Sequence, residues 1–260
     1  MRADSKALVP FLLIACIPPW IGWSLLRFGI VPSTGAWQML YLTGWAASAA
    51  GLVATHIEEG GPGVRRLLRE AVRLAVPLRW WLFVLLVPVL AMSTTALLYA
   101  VASGNAVGFE PARFAQHVAP GALATFMLGP FGEEFGWRGY LLPRFVRRMG
   151  VVPALLCVGV IWGVWHWPLL YQSVSAAPAR ELVTISAGIA YMSVVIGTVY
   201  LRTGSLFLAM LLHWHVNGTR EIAGQVFPGL PEGSDPLLQW CGFGANALVA
   251  VLVISALKRR

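Results

Sequence analysis

The chain has 260 residues, 58% of them hydrophobic and 12% charged, with a mean hydropathy of +0.71. A soluble domain carries about 25% charged residues, so the composition excludes a soluble globular protein and calls for an integral membrane one. The net charge of +8 would suit a nucleic-acid binder, but the basic residues alternate between successive loops. Membrane topology explains that alternation and nucleic-acid binding does not.

Apolar stretches long enough to cross a bilayer recur near residues 8–28, 36–56, 80–101, 116–138, 151–170, 182–201, 204–217 and 236–257. They predict an all-α polytopic bundle of about eight transmembrane helices, forming a single domain over residues 1–260. The seventh stretch is short and carries polar residues. No small-residue cleavage site follows the first run, which is therefore expected to stay as a span. Between the second and third, residues 57–79 set Arg65, Arg66, Arg69 and Arg73 at helical spacing opposite Leu67, Leu68, Val72 and Leu74. This predicts a short amphipathic helix on the cytoplasmic membrane surface. Trp80 and Trp81 then mark headgroup level. Pro18, Pro19, Pro88, Pro130 and Pro168 punctuate the spans, where neighbouring helices can re-satisfy the freed carbonyls. Cys16, Cys157 and Cys241 lie singly in apolar runs and read as inert thiols.

With a cytoplasmic amino terminus and eight crossings, all Lys and Arg but Arg27, Arg113, Arg180 and Arg220 fall on the inner side. That is the asymmetry of the positive-inside rule, and it places both termini in the cytoplasm.

Residues 132–143, Gly-Glu-Glu-Phe-Gly-Trp-Arg-Gly-Tyr-Leu-Leu-Pro, bring Glu133, Glu134 and Arg138 into membrane. One charge at the bilayer centre costs about 2.5–3.5 kcal/mol on insertion scales, so three together mark a polar, working interior. Glu134 and Arg138 are i,i+4 with the acid first, the better order for an ion pair. Trp162 and His166 share that spacing, as do His213 and Asn217. His215 is rotated by about 200° from His213 and should point elsewhere.

At about 1.5 Å per residue, Glu133 lies some 21 Å from Arg147, His166 about 22 Å from Val151 and His213 about 14 Å from Gly204. Three antiparallel helices thus hold these groups at overlapping depths, provided Gly139 and Pro143 do not end the fourth helix early. A buried glutamate flanked by His or Arg suits general-base work, and His and Asn can donate to an oxyanion. Each residue also has a plainer reading: a structural ion pair for Glu134–Arg138, a satisfied core acid for Glu133, an aromatic-belt residue for His166, a helix cap or bridge for His213, a helix end for Asn217.

The ordered motifs Glu-Glu-x-x-x-Arg, aromatic-x-x-x-His and His-x-x-x-Asn resemble the CAAX protease and bacteriocin-processing (CPBP) family, whose eukaryotic members are the type II CAAX prenyl endopeptidases. The resemblance covers residues 80–220. It implies an intramembrane endopeptidase acting on membrane-associated peptides or proteins, prenylated CAAX-type chains among them, with access from the cytoplasmic side. Glu133 would activate water, His166 hold or share it, and His213 and Asn217 stabilise the oxyanion, with Glu134 and Arg138 in support. Trp162 departs from the usual Phe. No cofactor is expected in the metal-free reading; Zn2+ on Glu133, His166 and His213 is the alternative. The rival functions are a proton-coupled transporter and a non-catalytic membrane adaptor. A nucleic-acid partner is not expected.

Overall fold

The computed structural model describes residues 6–113, 125–170, 178–231, 233 and 235–258. Every regular element among them is helical. Besides a 3-10 turn at Ser33–Gly35, these are in chain order α1 (Leu8–Arg27), α2 (Ala36–Gly44), α3 (Ala46–Ala71), α4 (Leu78–Ser103), α5 (residues 127–149), α6 (Val151–Trp165), α7 (Trp167–Leu170), α8 (Pro178–Thr203), α9 (Leu206–Glu221), α10 (Ala223–Val226) and α11 (Pro236–Lys258). The protein is an all-α, multi-pass membrane bundle.

Four described helices combine the length and apolarity needed to cross: α1, α4, α8 from Leu182 onward, and α11. The other predicted spans differ in form. The second divides at Trp45, where α2 stops and α3 starts. Gly44 there lies against the next layer, since a Cβ on it would stand 3.0 Å from the Leu128 carbonyl oxygen. The fifth is a 15-residue helix, α6, capped by His166 and followed by the short α7. The first part of the fourth, residues 116–124, lies outside the described residues. From residue 125 the chain stays helical to Met149, so neither Gly139 nor Pro143 ends it.

The expected amphipathic helix is a continuation of α3, bent at Gly60, which takes the left-handed φ of 65° that glycine tolerates. Instead of lying free on the membrane surface, it is tied across the end of the bundle. Glu58 accepts from Tyr140 Oη (2.9 Å) and Arg144 Nε (2.7 Å), and Glu59 pairs with Arg66 and Arg144, both at 2.9 Å. Tyr200 Oη donates to Glu70 at 2.9 Å, and Ser205 Oγ donates to the Arg73 carbonyl at 2.7 Å. Partial burial pushes the Glu59 carboxyl up, but Arg66 and then Arg144 outweigh this and hold it below the ordinary range.

Small residues let α3 and α5 touch backbone to backbone, the packing device of membrane helices. A Cβ built on Gly136 would stand 2.1 Å from the Ala47 carbonyl oxygen, and one on Gly51 2.7 Å from Gly136 Cα. Both clashes are with backbone, which cannot swing aside. Gly136→Ala is therefore expected to lower stability by about 3 kcal/mol or more. A thermal melt in detergent measures it, and a wild-type melting temperature would mean that the helices do not meet there.

Candidate active site

Glu133 and Glu134 occupy one α-helical turn between two wider π-helical stretches, Met127–Phe131 and Phe135–Leu141. Such turns are rare and recur at functional sites. Both acids are buried, as is Arg138.

The predicted pair is present: Arg138 Nη1 donates to Glu134 Oε1 at 2.7 Å with both side chains fully buried. The same oxygen meets His213 Nδ1 at 2.8 Å. A proton on Nδ1 is what that carboxylate calls for, which turns the other ring nitrogen, Nε2, toward the space beside Gly129. A Cβ built on Gly129 would lie 3.6 Å from Asn217 Nδ2, 3.8 Å from Glu133 Oε1 and 4.0 Å from His213 Nε2. An acid from α5 and two polar groups from α9 thus converge on one small space, and the absent side chain of Gly129 leaves it open.

Trp162 binds the constellation together. Its indole N–H donates to Glu133 Oε2, the Arg138 guanidinium sits 4.2 Å above its ring, and its edge-to-face neighbours are His213 (5.0 Å) and His166 (5.7 Å). The sequence marked Trp162 only as a departure from the usual Phe. The indole N–H is what distinguishes it from the Phe expected there, and that donor was the available signal.

His166 joins the cluster from its rim. Its Nδ1 pairs with the Trp162 carbonyl at 2.8 Å, and its ring packs edge-on against Trp165 at 4.7 Å. It is half-buried, whereas His213 is buried. His215 does point elsewhere, with Nδ1 3.1 Å from the Val84 carbonyl oxygen. His117 lies outside the described residues. Around the site, Trp165 Nε1 donates to Ala15 O (2.7 Å) and Trp20 Nε1 to Trp165 O (3.1 Å), fixing α1 against α6. Among the described residues, no three His, Cys, Asp or Glu side chains are arranged to hold a metal ion.

Residues 115–219 match the family model of Type II CAAX prenyl endopeptidase Rce1-like proteins. The CAAX prenyl protease 2 of Methanococcus maripaludis is 27% identical over 107 residues, which cover 38% of this chain. The chain spans 40% of the length of that curated relative. The matched region contains all three motifs and every side chain of the cluster. The region that holds the site is thus similar to the type II CAAX prenyl endopeptidases, which supports the resemblance to the CPBP family carried by the motifs.

Proposed function

We propose that the protein is an intramembrane endopeptidase that hydrolyses peptide bonds of membrane-associated substrates with water activated by Glu133. The observation that carries this is the convergence of Glu133 Oε1, His213 Nε2 and Asn217 Nδ2 on the space beside Gly129. Water held there gives a proton to Oε1 as it attacks the scissile carbonyl carbon. The Trp162 indole occupies Oε2, so the oxygen facing the space is the one that acts as base. Asn217 Nδ2 donates to the developing oxyanion. His213 donates from Nε2 when its ring is protonated, with Glu134 opposite Nδ1 and Arg138 fixing Glu134. Collapse of the tetrahedral adduct breaks the C–N bond, and Glu133 passes its proton to the leaving amine. His166, at the rim, helps to hold the water.

The catalytic core is residues 80–220, both termini are cytoplasmic, and the reaction uses no metal in this reading. The name of the archaeal relative makes prenylated CAAX-type peptides the first substrates to try.

The test is cleavage of a panel of prenylated and unmodified peptides by purified protein, with and without chelator. Asn217→Ala is expected to lower kcat by about 10²-fold with little change in KM, the effect of losing one oxyanion donor. Activity lost in chelator and restored by zinc alone would sink the metal-free mechanism. A variant as fast as wild type would remove Asn217 from it.

A further inference from the structure

The second half of α3 carries a groove that the candidate site does not use. It encloses about 800 Å³, and its charged lining is Glu59, Arg66, Arg69, Glu70 and Arg73. The last four recur at spacings of three and four, which puts them on one face of the helix.

Both acids of the groove are engaged. Glu59 pairs with Arg66 and Arg144, each at 2.9 Å. Glu70 pairs with Arg66 at 3.1 Å and accepts from Tyr200 Oη at 2.9 Å. Arg66 is thereby neutralised, whereas Arg69 and Arg73 have no carboxylate partner among the described residues. Arg69 Nε donates to the Arg65 carbonyl at 3.2 Å, and Arg73 Nη1 to the Thr203 carbonyl at 3.4 Å. A guanidinium has five N–H donors, so each arginine keeps several for a ligand. Two like charges four residues apart also repel on a helix, and an anion between them removes that cost.

The far edge of the same segment is apolar and bare. Leu68 is 50% exposed and Val72 72% exposed, with Leu74 and Leu78 exposed beyond them. Val72 lies about 60° round the helix from Arg69, and Leu68 about 100°. Such a segment sits at the membrane interface, its arginines level with the lipid phosphates and its apolar edge among the acyl chains. A soluble anion would match the arginines alone, whereas a phospholipid matches both edges.

We infer that Arg69 and Arg73 hold the phosphate headgroup of an anionic phospholipid in this groove, its acyl chains running past Val72 and Leu68. The planar donor fork of arginine suits phosphate oxygens, and basic clusters on amphipathic helices take anionic lipids. Arg73 also reaches the turn between α8 and α9, so the bound lipid fastens α3 to the helix that carries His213 and Asn217. The inference does not rest on the endopeptidase reading.

The experiment takes full-length protein in a neutral detergent and titrates it with phosphatidylglycerol, phosphatidylcholine or inorganic phosphate. Native mass spectrometry counts bound lipid, and thermal melts follow stability. Phosphatidylglycerol is expected to bind about tenfold or more tightly than phosphatidylcholine. It should also raise the melting temperature by about 4 °C, and inorganic phosphate should do neither. Arg69→Gln with Arg73→Gln is expected to weaken phosphatidylglycerol by about thirtyfold, roughly fivefold for each charge. Arg147→Gln with Arg148→Gln removes as much charge from the end of α5 and should keep the affinity within about threefold. Should the groove double variant fail to fold, Arg69→Gln alone, with a loss of about fivefold, makes the same test. Equal binding of the two lipids, or equal losses in the two double variants, overturns the inference. A full shift with inorganic phosphate alone would make the ligand a soluble anion and overturn the lipid assignment.

Discussion

Glu133→Gln is expected to lower kcat by about 10³-fold or more while leaving the melting temperature at or above that of wild type. A general base contributes about 10²–10⁴ in rate, and glutamine has no basic oxygen to replace it. The amide oxygen can still accept from the Trp162 indole, so the side chain stays where it is. Removing a buried carboxylate also relieves its desolvation, which is why the fold should not suffer. Paired kinetics and melts on purified protein measure both effects. Equal cleavage by the two forms would take Glu133 out of the chemistry, and lost cleavage with a collapsed melt would make it a structural acid.

Glu134→Leu should behave in the opposite way, with stability falling by about 3–5 kcal/mol. Arg138 has no exposure to water, and Glu134 is its ion-pair partner at 2.7 Å. Taking away one partner leaves a buried charge uncompensated, which is far worse than replacing both. The double variant Glu134→Leu with Arg138→Met should therefore recover most of the loss. His213 would still lack its carboxylate partner on Nδ1, so activity should stay low in the recovered double variant. Chemical denaturation of the three variants beside wild type checks the order. A double variant no more stable than the single would show that the pair is not the source of the effect.

The part of this site legible in the sequence was the part set by helix periodicity. The i,i+4 spacing of Glu134 and Arg138 predicted an ion pair, and the pair is there. The same arithmetic separated His213 from His215, and their partners lie on different helices. What stayed hidden depended on contacts between helices. The bond from Trp162 to Glu133 joins residues 29 apart in sequence, and no local pattern records it. The meaning of Gly129 appears only once α9 brings Asn217 and His213 beside it. Four of the spans were legible as apolar runs. The division of the second predicted span at Trp45 was not, because no proline or charged residue marks it in the sequence.

The two π-helical stretches of α5 carry a consequence for how this helix can change. Each wide turn takes in about one residue more than an α-turn, so the chain beyond it is rotated by about 100° relative to an unbroken α-helix. The azimuth of the glutamates and that of Arg144, which anchors α3, are therefore governed by the number of residues between them. Side chains on the outer face of α5 can be exchanged without disturbing that count, whereas losing or gaining one residue between 127 and 141 swings one functional face away from its partners. Spacing is the quantity such a helix conserves, and a scan of single-residue deletions and insertions, set beside alanine replacements at the same positions, would expose it.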